Sequence, residues 1–82
     1  VSHNIKAILD SFPDVNFLKA DGFDEAIIGV DDKSMRLIYS KSKCIEILAK
    51  DMGYEDAVDF YYFNVHGSYM GEQTPIWCED EF

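Results

Sequence analysis

The residue types able to do chemistry gather in one stretch, "DFYYFNVHGSYMGEQTP" at positions 59 to 75, which holds Asn64, His66, Tyr69 and Glu72 together with Asp59. An imidazole near carboxylates can move protons, provided the groups lie within hydrogen-bond reach. No serine or cysteine motif accompanies His66, and the other histidine, His3, stands alone near the start of the chain. Two readings of the stretch follow. In one, Asn64, His66, Tyr69 and Glu72 surround a small ligand pocket. In the other, Asn64 pins the loop "GSYMGEQTP" against the preceding helix, a buried amide without partners costing about 1–3 kcal/mol. The acidic turn "DGFDE", Asp21 to Glu25, offers oxygen ligands but lacks the spacing of an EF-hand. Neither "IIGVDD" nor "HGSYMGE" fits a phosphate-binding loop. The expectation is a chain with no catalytic residues, no metal and no cofactor.

Charge points to a partner instead. Among 82 residues there are 16 acids and 7 basic side chains, a net charge of -9. Lys33, Arg36, Lys41, Lys43 and Lys50 fall between positions 33 and 50. From Asp51 to Phe82 there are eight acids and no Lys or Arg. Such a surface repels phosphate, which argues against direct nucleic-acid binding and for a basic protein partner or self-association. Excess acid that only maintains solubility is the bland alternative. A DNA mimic would need carboxylates at phosphate-like spacing. No run of about 18 apolar residues is present, and "VSHNIKAILD" lacks the layout of a secretion signal, so the expected location is cytoplasmic, with no membrane contact. Cys44 and Cys78 form no CxxC and are expected to be reduced thiols.

The elements that must position these residues can be read from periodicity. At 82 residues with 48% hydrophobic side chains the chain makes one globular domain, residues 1–82. Ile5, Ile8, Leu9 and Phe12 recur at i, i+3, i+4 and i+7, which predicts a helix over His3 to Phe12 with Ser2 as N-cap. Asp21-Gly22 marks a turn, and Phe17 and Leu18 form a short strand or plug the core. In "AIIGVDDKSMRLIYS" two β-rich runs, Ala26 to Val30 and Met35 to Tyr39, flank a turn and predict a hairpin. Gly29 marks a bulge or a close backbone approach. Cys44, Ile45, Leu48, Ala49 and Met52 predict a helix capped by Ser40 or Ser42, with Gly53 as the left-handed residue past its end. A third helix follows from Glu55 to His66, its first-turn acids suited to the helix dipole. Pro75 then opens a strand at Ile76-Trp77-Cys78. The expected fold is α+β, order α-β-β-α-α-β, with three helices on one face of a three-stranded antiparallel sheet.

On a regular wheel of about 100° per residue counted from Ala57, two positions of the third helix disagree with the rest. Phe63 lands in the polar wedge at about 240°, which predicts either coverage by the Trp77 strand or exposure at an interface. Asn64 lands at about 340°, on the buried side. Glu55, Asp56, Asp59 and Phe63 are therefore the protein-binding candidates.

The block "CIEILAKDMGYEDAVDFYYFNVHGSYMGEQTPIW" over 44–77, with "DGFDEAIIGV" before it, resembles a family of small proteins of tailed bacteriophages and marine metagenomes. The shared pattern is C-I-E-I-L, then Y-E-[ED]-A, then F-N-V, a glycine, an aromatic and G-E-x-T-P. On this chain it falls on Glu46, Glu55, Ala57, Phe63, Asn64, Gly67, Tyr69, Gly71, Glu72, Thr74 and Pro75. The resemblance implies a phage-type accessory protein working in the cytoplasm of a bacterial host, and it implies no activity. Alanine stands in many relatives where this chain has Ser68, which argues against a nucleophilic serine. The leading expectation is thus a non-enzymatic accessory protein that binds a host or viral protein through an acidic face. The rivals are a small-molecule binder using the 64–75 loop as a pocket wall, and a hydrolase or metal enzyme centred on His66.

Overall fold

The computed structural model describes residues 3–20, 22–67 and 71–80, and of residues 3 and 4 only the backbone. Ser2, Asp21, Ser68 and Tyr69, each assigned a role above, lie outside the described residues. Helix α1 spans His3–Ser11, and a single 3₁₀ turn, Asp24–Ala26, leads into the hairpin. Strands β1 (Ile27–Asp31) and β2 (Arg36–Ser40) are followed by α2 (Lys41–Met52), α3 (Tyr54–Phe60), a π-helical segment (Tyr61–His66) and β3 (Ile76–Cys78). The fold is α+β, and its order differs from the expected one by the two extra helical elements. Phe17 and Leu18 form no strand; Phe17 packs on the core and Leu18 is exposed.

The hairpin forms where its pattern predicts. Asp31 organises the turn: its carboxylate accepts from the Lys33 amide at 3.1 Å and from Ser34 Oγ at 2.9 Å, a local bonding pattern typical of turn aspartates. The Ser34 hydroxyl and then the Lys33 amide hold the Asp31 carboxyl below its ordinary range. Ile27 stands opposite Tyr39 and Gly29 opposite Ile38, so the register slips by one residue at Ile28, the bulge that Gly29 announces.

The sheet is mixed rather than antiparallel. Its order is β1-β2-β3, and β3 runs parallel to β2, with Ile38 opposite Ile76, Tyr39 opposite Trp77 and Ser40 opposite Cys78. The connection explains the correction. Parallel neighbours need a crossover of a dozen residues or more, and α2, α3 and the π-helical segment supply one between β2 and β3. Side chains alternate across a sheet, so Leu37, Tyr39 and Trp77 share the face that carries the helices. Tyr39 and Trp77 rings lie 5.0 Å apart, and Tyr61 meets Trp77 edge-on at 6.3 Å. One core joins Ile5, Phe23, Ile27, Leu37, Tyr39, Cys44, Ile45, Ala57, Tyr61 and Val65. The buried Tyr39 hydroxyl accepts from the Ala20 amide at 2.8 Å, which ties the segment after α1 to the sheet.

Gly53 serves two helices at once, closing α2 and opening α3 at φ 84° and ψ 163°. That is not the left-handed helical conformation expected there. It is an extended conformation of positive φ open essentially to glycine alone, and it lets α3 start with no intervening loop. No helix of the described residues is long and apolar enough to cross a membrane.

Candidate functional site

Two regions hold the polar and aromatic residues that the core does not use. The first is the junction where β2 ends, α2 begins and β3 ends, and it was not singled out as a site by sequence. Ser40, fully buried, is the N-cap of α2, accepting from the Lys43 amide at 3.2 Å. Its hydroxyl also lies 2.5 Å from Asp80 Oδ2, to which it donates, and Asp80 Oδ1 accepts from the Ser42 amide at 3.0 Å. Two residues 40 positions apart thus cap one helix together. Short hydroxyl-to-carboxylate bonds are the charge-assisted kind. The Ser40 hydroxyl and then the Ser42 amide hold the Asp80 carboxyl below its ordinary range.

Beside this cap, Lys41 Nζ pairs with Glu79 Oε2 at 2.7 Å and sits 5.0 Å from the centroid of the Tyr62 ring. Glu79 first, then the Tyr62 hydroxyl, raises the Lys41 ammonium above its ordinary range. The last residues of β3 and those after it are therefore fastened both to the start of α2 and, through Lys41, to the π-helical segment. Behind the cap, burial first and the Asp80 charge second push the Cys44 thiol up to about 12, so it is protonated at neutral pH and a poor nucleophile. Neither cysteine is in a disulfide.

The second region is the α3 and π-helical surface. Phe60, Tyr61, Tyr62 and Phe63 are consecutive aromatics followed by β-branched Val65, residues that crowd the preceding turn of an α-helix; a wider i→i+5 turn relieves this. Each residue of the wider turn advances through less than the α-helical 100°, so positions late in the segment lag behind the regular wheel. This corrects the expectation for Asn64. Asn64 moves out of the buried arc and is exposed. His66 is exposed, while its Nδ1 lies within 3.3 Å of the buried Tyr61 hydroxyl and its ring packs on Tyr62 at 5.4 Å. Phe63 is not covered by the Trp77 strand; it is 85% exposed. Burial first, and Cys44 next, push the Tyr61 phenol above its ordinary range, so it keeps its proton beside His66.

The sequence candidates therefore separate. Glu55, Asp56, Asp59 and Phe63 are all exposed along α3 and its π-helical continuation, and Asp56, Asp59, Phe60 and Phe63 follow the i, i+3, i+4, i+7 spacing of one face. Glu72 lies elsewhere, in a shallow open depression lined with Leu18, Ser34 and Gln73. The loop that Asn64 was expected to pin is held, among the described residues, by other groups. Thr74 Oγ1 donates to the Gly71 carbonyl at 2.6 Å, and Arg36 Nε donates to the Thr74 carbonyl at 2.6 Å. Gly71 takes φ 105°, the positive value its place in the turn predicts, whereas Gly67 stays at φ -88°. Among the described residues no group of three or more His, Cys, Asp or Glu is arranged to hold a metal ion.

No protein-family model, no curated protein and no solved structure matches this chain.

Proposed function

We infer that the α3 and π-helical surface binds a basic protein, and that the chain acts as a phage-type accessory protein by docking through it rather than by catalysis. The observation that supports this is the pairing of an 85% exposed Phe63, flanked by Phe60 at 40% and Tyr62 at 43%, with Glu55, Asp56 and Asp59 on the same solvent-facing stretch. An isolated exposed apolar residue needs no explanation, but three exposed aromatics within four residues, on a stretch rich in carboxylates, resemble the anatomy of an interface. There, an aromatic anchor enters a pocket while a charged rim steers the encounter. Burying Phe63 in a partner is worth about 2 kcal/mol, or roughly thirty-fold in affinity.

The test is capture of a discrete host or viral protein from bacterial lysate by the immobilised chain, followed by affinity measurement on that protein. Retention should weaken between about 50 and about 500 mM salt, because exposed charges are screened over that range. Phe63→Ala should weaken it roughly thirty-fold and combined reversal of Glu55, Asp56 and Asp59 to Lys should abolish it. A partner that survives both changes does not use this face.

A further inference from the structure

The chain holds one cation of its own with the same side-chain types that the α3 surface leaves bare. Lys41 Nζ lies between a carboxylate and an aromatic ring, 2.7 Å from Glu79 Oε2 and 5.0 Å from the centroid of Tyr62. The Tyr62 hydroxyl is a further acceptor for it. The next residue, Phe63, is 85% exposed, and among the described residues no ring or cation lies against it. Asp59 stands four residues before Phe63 on the same exposed face, with Asp56 and Glu55 about one turn further back. Lys41 with Glu79 forms the ion pair of the described residues, and none of these three carboxylates has a cation beside it. From Asp51 to Phe82 the sequence has no Lys or Arg to supply one.

Unneutralised carboxylates set the sign of what covers this face, which must be positive. The bare ring narrows the choice between the two cationic side chains. An ammonium is strongly hydrated, and Lys41 replaces its water with a carboxylate and a phenol oxygen. Phe63 has no oxygen to offer, so a lysine laid on it would exchange its water for a carboxylate alone. A guanidinium is more weakly hydrated. Its flat face stacks on an aromatic ring while its N–H donors, directed outward in the plane, reach a carboxylate as a fork.

We propose that the basic partner presents arginine to this face, the guanidinium stacking on Phe63 and its N–H groups donating to Asp59, with Glu55 and Asp56 attracting the neighbouring basic residues. Resting on the reading of α3 as a docking surface, this adds to it a preference between cations that a surface acting by charge alone would lack.

Two peptides of equal length and charge, octa-arginine and octa-lysine, test it when each is labelled and titrated with the folded chain by fluorescence anisotropy. Octa-arginine should bind about fivefold tighter, the difference that one exposed cation–aromatic contact supplies. Salt should weaken both peptides and leave their ratio in place, because it screens equal charges equally. Phe63→Leu keeps an apolar side chain but removes the ring, and should bring the ratio to about one; Phe63→Trp, with the better ring face, should raise it. Since Phe63 is exposed, both variants should keep the parent melting temperature. Combined Glu55→Gln, Asp56→Asn and Asp59→Asn should weaken both peptides together, at least about tenfold. Equal affinities, or an arginine preference that Phe63→Leu leaves intact, overturn the proposal. Equal affinities that the triple neutralisation still weakens leave α3 as a docking surface with no choice of cation. Affinities indifferent to the triple neutralisation, or no binding of either peptide, overturn the docking reading as well.

Discussion

The junction at the start of α2 and the surface of α3 are built from similar side chains and treat them in opposite ways. At the junction, Ser40 is bonded to Asp80 and Lys41 to Glu79, each within 3 Å, and Tyr62 closes over Lys41. On α3, Glu55, Asp56, Asp59 and Phe63 face water. Polar groups that satisfy one another stabilise the fold, whereas exposed carboxylates and an exposed aromatic contribute little to it and are available to a partner. A position's contribution to stability and its contribution to binding should therefore fall in different places.

The comparison can be broken from its strongest side first. Tyr61 is fully buried between the helices and Trp77, so Tyr61→Ala should lower unfolding free energy in a urea titration by about 3–5 kcal/mol. Ser40→Ala removes the cap of α2 and the hydroxyl donor to Asp80 together, and a loss of about 1–2 kcal/mol is expected in the same titration. A third change sharpens the packing argument. The Trp77 indole N–H is buried with no hydrogen-bond partner among the described residues, a cost that phenylalanine would not carry. Trp77→Phe should therefore cost less than about 1 kcal/mol, well under the roughly 3–5 kcal/mol expected of Trp77→Ala.

Acid provides a reading of the junction alone. The folded-state pKa of Asp80 is depressed below its ordinary 3.8, so its contribution is fully present above that value and is lost as pH falls through the lower folded value. Asp80→Asn should flatten the fall of melting temperature in that acid window. The opposite sign holds for Lys41, raised above its ordinary 10.5: its contribution is complete below that pH and disappears as alkali carries the pH through the higher folded value. The smallest expected effect lies on the other surface. Phe63→Ala should leave stability within about 0.5 kcal/mol of the parent, even though it is the substitution expected to weaken a partner most. A large loss of stability there would mean that Phe63 packs against the chain in solution.

The features readable from the chain are those decided by neighbours in sequence. The apolar spacing of α1 and α2, the Asp31 turn, the Gly29 bulge, the Ser40 cap and the strand opened by Pro75 each rest on residues within a few positions of one another, where sterics and local hydrogen bonds dominate. The tertiary structure decided what depends on residues far apart. The direction of β3 is invisible in its own alternation, because parallel and antiparallel pairing present the same side chains to each face. The Asp80 cap and the Arg36 contact with Thr74 each join positions nearly forty residues apart. The π-helical segment is the intermediate case: its crowded aromatics are legible, but a wheel that assumes 100° per residue misplaces Asn64 once the turn widens. Exposure of Phe63 was one of two outcomes the wheel left open. Only packing chose it, because the strand that could have covered this side chain is held on the other side of the helix by Tyr61 and β2.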